Sequence, residues 1–249
     1  MLVKRDYVTF YKQTMLGPIW FFIQPIMTTF VYVFLFGRLA NLPTDGAPQI
    51  AFYLTGIITW NYFSESLIKV STVFKDNSAM MGKVYFPRLI MPISIVVSAL
   101  MKFVIQFILF IIIVLYFAII EESINPNLWI LATPFLLLLM ASFSLGIGMI
   151  FSSLTTKYKD LVFLLNFGIQ LFMYATPVVY SLSSVPEKYE WVILLNPLTP
   201  IFECFRFGFL GVGTLDPFSL IISSISNVII LVFGILVFNK VQKNFMDTV

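Results

Sequence analysis

The sequence predicts an all-α integral membrane protein with six transmembrane helices and two short re-entrant external helices between spans five and six. Three observations predict it. Of the 249 residues, 59% are hydrophobic and 11% charged, against roughly a quarter charged in an average soluble domain, so the chain lacks the polar surface that a water-facing exterior needs. Runs long enough to cross ~30 Å of hydrocarbon at 1.5 Å per residue recur along the whole chain. The Lys and Arg residues gather in alternate connections between those runs.

The apolar runs are Pro18 to Leu39, Ile50 to Val70, Leu89 to Ile120, Leu128 to Leu154, Leu161 to Leu182, and Phe218 to Phe238. The third exceeds what a bilayer needs, so it should tilt or project into water. Lys4, Arg5, Lys12, Lys69, Lys75, Lys83, Arg88, Lys157, Lys159, Lys240 and Lys243 fall on one side, and Arg38, Lys188 and Arg206 on the other. The positive-inside rule then places both termini in the cytoplasm. Trp191 to Gly213 is apolar enough to suggest a seventh crossing. Asn196-Pro197 and Thr199-Pro200 break it into pieces too short to span, and Glu203 and Arg206 charge its second half. Two short helices dipping into the external leaflet fit better, with their irregular backbone shielded by protein. Gly208, Gly211 and Gly213 are expected to end the second of them. The first run is too long for a signal-peptide core and is read as a retained helix. The chain reads as one membrane domain over 1–249, with a cytoplasmic amino-terminal segment at 1–17, a cytoplasmic connection at 73–88 and an external region at 183–216.

Several functions are excluded by what is missing. There is no histidine, which removes His general bases and His-ligated zinc. Cys204 is alone, so no intrachain disulfide forms. No glycine-rich phosphate loop with its lysine occurs, so the chain does not hydrolyse ATP itself. A net charge of +3 with scattered basic residues argues against nucleic acid as a partner. The carboxylates Asp45, Glu121, Glu122, Glu187, Glu190 and Asp216 form no catalytic motif, which argues against a membrane-embedded glycosyltransferase. Deep mid-span carboxylates of the kind that relay protons or sodium are lacking, which disfavours a secondary transporter.

Val73 to Arg88 is basic and mildly amphipathic, carrying Phe74, Met80, Met81, Val84, Tyr85 and Phe86. It suits either insertion into a partner's groove or a helix lying on the headgroups. Lys102 and Gln106 share one face of span three, where a conduit-lining role competes with an interfacial, snorkelling lysine. Glu65 with Lys69, and Glu203 with Arg206, have the spacing of local helical pairs. Aromatic residues make up 17% of the chain; Trp20, Phe30, Tyr32 and Phe34 in span one and Phe163, Phe167 and Tyr174 in span five are candidates to line a path, against interfacial belts and lipid-facing packing. Small residues from Ala141 to Ser153, Gly146 and Gly148 among them, mark span four for close helix packing.

VKRDYVTFYKQTMLGPIWFFIQ at Val3 to Gln24, KVYFPRLIMP at Lys83 to Pro92, TPVVYSLSSVPEKYEWVILLNPLTPIFECFR at Thr176 to Arg206 and FNKVQKNFMD near the end resemble, in order, the permease subunits of type 2 ABC transporters that export polysaccharide. That resemblance implies a bacterial inner-membrane homodimer with two copies of a separate ATPase that binds ATP and magnesium, leaving this chain without a cofactor. It implies a lipid-linked glycan as substrate: O-antigen, capsule or teichoic acid on a carrier such as undecaprenyl diphosphate, drawn from among the membrane lipids. By position, Met80, Lys83, Tyr85, Phe86 and Arg88 resemble the coupling segment, and spans one and five the channel walls. Lys4, Arg5 and Lys12 are candidate phosphate contacts, and Asn196, Pro197, Pro200, Glu203 and Arg206 an external gate. Family members usually carry an amphipathic helix before the region matching Lys4 to Pro18, and this chain begins almost at that point. A type 2 ABC permease exporting a small lipid or drug would share the topology with fewer pore aromatics.

Overall fold

A computed structural model describes residues 19–77, 89–158 and 160–245, with side chains to residue 241. Among the described residues the regular structure is entirely helical. The first long element, α1, runs from Trp20–Tyr32 and continues as a π-helical stretch, Val33–Leu39. A loop holding Asn41, Asp45 and Gly46 at positive φ then leads to α2, Gln49–Ser71. After a single turn at Val73–Asp76 come α3, Ile90–Ile119, and α4, Thr133–Thr155, which a 3-10 turn at Leu128–Ala132 precedes. The rest is α5, Leu161–Tyr174, α6, Glu187–Leu194, α7, Thr199–Leu210, and α8, Pro217–Phe245.

The organising element is α2, which touches α1, α3, α4, α5 and α7. It is buried along most of its length. Two of its buried threonines are satisfied locally, Thr55 donating to Ala51 O and Thr59 to Thr55 O, each at 2.6 Å, whereas the hydroxyls of Tyr53 and Ser66 are buried with no hydrogen-bond partner among the described residues. One stripe of α3 (Val96, Ala99, Phe103, Gln106, Phe110, Val114 and Phe117) is buried, recurring every three or four residues as a helix face must, with Phe103 against Tyr62 of α2 and Phe110 against Phe205 and Phe209 of α7. The opposite face of α3, from Ile93 through Val104 and Ile112 to Ile119, is apolar and exposed, which is stable only against lipid. α4 crosses α8 most closely at Gly146 and Gly234, where a Cβ on either would strike the other helix's backbone within 3 Å. Gly148 makes room for the side chain of Val70 on α2, which a Cβ there would meet at 2.6 Å. The small-residue run of span four is therefore a packing surface.

Among the described residues, four helices are long and apolar enough to cross a membrane: Trp20–Leu39, Ile90–Ile119, Leu128–Thr155 and Pro217–Val241. The bent pair Glu187–Leu194 and Thr199–Leu210 makes a fifth if taken as one passage. The two remaining predicted spans fall short for different reasons. α2 has the length, with 23 residues, but carries Asn61, Ser64, Glu65 and Lys69. α5 stops at Tyr174 after 14 residues rather than reaching Leu182, because Pro177 lacks an N–H and pushes Thr176 out of helical geometry.

The predicted break between two short helices is present. α6 and α7 meet at 101°. Asn196 holds the corner, accepting from Leu198 N at 2.9 Å and donating to Thr176 Oγ1 at 2.7 Å. α7 ends on Gly211, left-handed at φ 72°, where Asn125 O leaves no room for a side chain.

Candidate functional site: a groove between α1, α2 and α5

Helical spacing on α5 places Asn166, Phe167, Gln170 and Tyr174 along one wall of a groove, facing Trp60 and Ser64 on α2 and Tyr32 on α1. Its volume is ≈ 680 Å³. Tyr32 is fixed by a hydrogen bond from its hydroxyl to Met173 Sδ at 3.6 Å and by edge contacts with Phe36 and Tyr53. Trp60 rests against Phe172. The groove thus joins flat aromatic faces to two amides and the hydroxyls of Tyr32, Ser64 and Tyr174, with no charged group on its walls.

Ser64 and Ile68 also belong to a second, smaller pocket of ≈ 240 Å³, completed by Gln24, Asn61, Glu65, Lys69 and Lys102. Glu65 is its centre, accepting from Lys69 at Oε1 and from Lys102 at Oε2, both at 2.7 Å. The predicted local pair of Glu65 with Lys69 is present. The cross-helix partner Lys102 is an addition that spacing along one helix does not show. Gln106, on the Lys102 face, is buried, and its Nε2 has no hydrogen-bond partner among the described residues.

Of the seven aromatics predicted to line a path, Tyr32, Phe167 and Tyr174 come together in the groove. Phe30 lines a different crevice, shared with α2 and α3. Trp20, Phe34 and Phe163 stand exposed, Phe163 at 78%. Asn166 and Gln170 were missed by sequence reasoning. Their signal is simple: they are the two amides of an otherwise apolar α5, four residues apart on one face.

The residues predicted as an external gate form a buried joint. Asn196, Pro200, Glu203 and Arg206 are all buried, and Pro197 O accepts from Ser223 Oγ on α8. Arg206, 1% exposed, donates to Val178 O at 2.7 Å, Tyr180 O at 3.0 Å and Glu203 Oε1 at 3.4 Å, and its guanidinium lies 3.9 Å over the Phe52 ring. Glu203 Oε2 accepts from Thr214 N at 3.1 Å. The loop after α5 is tied to the α1–α2 loop as well, since Ser181 and Ser183 both donate to the Asp45 carboxylate. Outside the long helices, Ser219 Oγ and the backbone amides of Phe218 and Ser219 hold the Asp216 carboxyl below the usual carboxylate range, which suits a residue just before the positive end of α8.

Met80, Lys83, Tyr85, Phe86 and Arg88 lie outside the described residues, as do Lys4, Arg5 and Lys12. Of the predicted coupling segment, residues 73–77 are described: Val73 and Phe74 are buried, and Phe74 stacks on Phe238 of α8. Among the described residues, no group of three or more His, Cys, Asp or Glu side chains is placed to hold a metal ion.

Long apolar helices around a polar central one, with an uncharged groove along them, define a polytopic membrane protein. The chain belongs to the ABC-2 type transporter family, whose model matches residues 1–210. It is similar to the O-antigen export system permease protein RfbA of Klebsiella pneumoniae, 28% identical across 99% of this chain and 93% of that protein. RfbA of Myxococcus xanthus is 26% identical over 82% of this chain and 77% of its own. The capsule polysaccharide export inner-membrane protein CtrC of Neisseria meningitidis serogroup B is 22% identical over 97% and 90%.

Proposed function

We propose that this chain is the membrane subunit of an ATP-driven exporter that carries lipid-linked polysaccharide across the bacterial inner membrane. The observation that carries this reading is the groove of Tyr32, Trp60, Asn166, Phe167, Gln170 and Tyr174, in a chain whose relatives export O-antigen and capsule. Aromatic faces stack on the apolar C–H faces of sugar rings, and amides exchange hydrogen bonds with successive hydroxyls. Neither holds any one ring tightly, which is what a sliding polymer requires. In this reading the chain forms one ABC-2 transmembrane domain with six crossings and both termini cytoplasmic. α2 then crosses inside the bundle, where its polar groups meet protein, and α5 crosses with the loop that follows it. α6 and α7 dip into the external leaflet and return.

Two copies of the chain pair so that spans one and five of each wall the conduit, and two copies of an ATPase bind ATP and magnesium below. Lys4, Arg5 and Lys12 make first contact with the carrier's phosphates, and Met80, Lys83, Tyr85, Phe86 and Arg88 receive the ATPase stroke. The deciding test is conditional depletion in the native host with mass analysis of lipid-linked glycans on each face of the membrane. The expected result is accumulation of a cytoplasmic carrier-linked polymer with loss of its surface form; unchanged pools overturn the reading. Within the groove, joint Asn166→Leu and Gln170→Leu replacement is expected to lower export about tenfold while leaving ATPase association intact, as two lost hydrogen bonds of about 0.5–1.5 kcal/mol each would do. Quantifying surface glycan beside ATPase co-purification checks it.

A further inference from the structure

We infer that Asp45 is the catch of a strap that fastens the outer end of α1 to the loop after α5, and that the groove opens outward when this strap parts. The inference deepens the polysaccharide reading and rests on it for which end of the groove faces out. The two outer walls of the groove, α1 and α5, each pack on α2 much more than on one another. Between them Tyr32 reaches Met173 at 3.6 Å, with sulfur as a weak acceptor. Beyond the ends of both helices, Ser181 donates to Oδ2 of Asp45 and Ser183 to Oδ1. Among the described residues these are the hydrogen bonds that join the α1–α2 loop to the α5–α6 loop. Tyr180, next to Ser181, donates from its hydroxyl to the backbone oxygen of Tyr174 at 3.3 Å. Tyr174 lines the groove, so the strap sits at the groove's outer end.

The loop after α5 is the fixed side of the strap. Arg206 clasps its carbonyls at Val178 and Tyr180, and Asn196 donates to Ala175 O at 3.3 Å and to Thr176 Oγ1 at 2.7 Å. The movable side is α1. From Trp20 to Tyr32 its buried residues are Pro25 and Thr29, and beyond them Phe34, Leu35 and Leu39 stand exposed. Its outer end is the π-helical stretch, a geometry at which helices bend. Among the described residues α1 makes two hydrogen bonds to other helices: that of Tyr32 to sulfur, and a long one of 3.4 Å from Gln49 Nε2 to Gly37 O. Asp45 and Ser183 are exposed, so water takes over their bonds as the strap parts. Arg206 is 1% exposed and has no such substitute. The surface strap is therefore the joint that parts, and the buried clasp is the one that holds.

The test uses the assembled transporter with its ATPase in spheroplasts of the native host, where an impermeant reagent reaches the external face alone. Asn166→Cys reports access to the groove, since Cys204 is buried. Adding Asp45→Ala is expected to raise the rate of maleimide labelling at that position severalfold, and Ser181→Ala with Ser183→Ala to do the same. The unfolding midpoint is expected to stay that of the parent, because the strap lies on the surface. An unchanged labelling rate overturns the proposal. So does a midpoint that falls as far as that of Arg206→Ala, which would make Asp45 one more tie of the fold. In a second arm, Asp45→Cys and Ser183→Cys are joined by a short bifunctional methanethiosulfonate linker. Linking is expected to stop export, and removal of the linker by dithiothreitol to restore it. A contact that only stabilises the fold predicts undiminished export, because the linker replaces it, and that result also overturns the proposal. Where the pair does not link, the labelling rate decides. If Asp45→Ala opens the groove to the label while host depletion leaves lipid-linked glycans unchanged, the strap stands and the polysaccharide reading fails. If depletion accumulates glycan while labelling is unmoved, the strap fails alone.

Discussion

Arg206→Ala is expected to destabilise the protein by about 3–5 kcal/mol, the scale for removing one partner of a buried ion pair. The cost arises on three sides. Glu203, 2% exposed, loses its countercharge and keeps only the Thr214 amide. The buried carbonyl of Val178 and the half-buried carbonyl of Tyr180 lose their donors. Phe52 loses the guanidinium packed on its ring. The loop carrying those carbonyls also presses on α2, since Val178 O leaves no space for a Cβ at Gly56. Releasing the loop should therefore loosen the central helix as well. Arg206→Lys is expected to recover only part of the loss, because a single ammonium does not span two carbonyls and a carboxylate as a guanidinium fork does. Thermal unfolding of the purified transporter in detergent measures both. An unchanged midpoint for Arg206→Ala together with blocked export would mark Arg206 as a gate residue facing the substrate instead of a structural clamp.

Some of this was legible in the sequence because it is written in local patterns. α3 lies within one residue of the predicted run at each end, since thirty consecutive helical residues with no break leave little choice. Asn196-Pro197 and the αL Gly211 bound α6 and α7 as turn chemistry requires. The Glu203–Arg206 pair also formed at its i,i+3 spacing. What spacing does not carry is which antiparallel turn of α3 stands beside which turn of α2. Lys102 looked like a lone intramembrane charge until α3 brought it to Glu65. For the same reason a list of aromatics did not separate Phe30, in the lipid-side crevice, from Tyr32, two residues on and in the groove. The end of α5 at Tyr174 was readable from Thr176-Pro177, but the apolar run continues through Val178 and Val179 and masks it. Apolarity reports burial, and here those valines are buried in a loop folded against α2 and α7 rather than in a longer helix.

The crossing of α4 with α8 leads to a second large effect. Gly234→Ala is expected to cost about 1–3 kcal/mol, the range for forcing extra atoms into a packed interior, and Gly234→Leu considerably more. The new Cβ would stand 2.4 Å from Gly146 O and 2.9 Å from Gly146 Cα. These are backbone atoms, so no rotamer change relieves the clash and the two helices must separate. In lipid, separation forfeits van der Waals contacts along the whole crossing without any hydrophobic penalty to oppose it, so small residues at the contact matter more than in a water-soluble bundle. Gly146→Ala should behave alike, meeting Ile230 and Leu231 backbone at 2.9 Å. Gly168→Ala is the matched control: it lies in α5 with nothing within 4 Å of its Cβ position. There the loss of unfolded-chain entropy and better helix propensity should give unchanged or slightly higher stability, up to about 1 kcal/mol. Unfolding midpoints in detergent, read alongside the monodisperse fraction on size exclusion, separate the cases. Equal behaviour of Gly234→Ala and Gly168→Ala would mean that α4 and α8 do not cross at their glycines in the membrane.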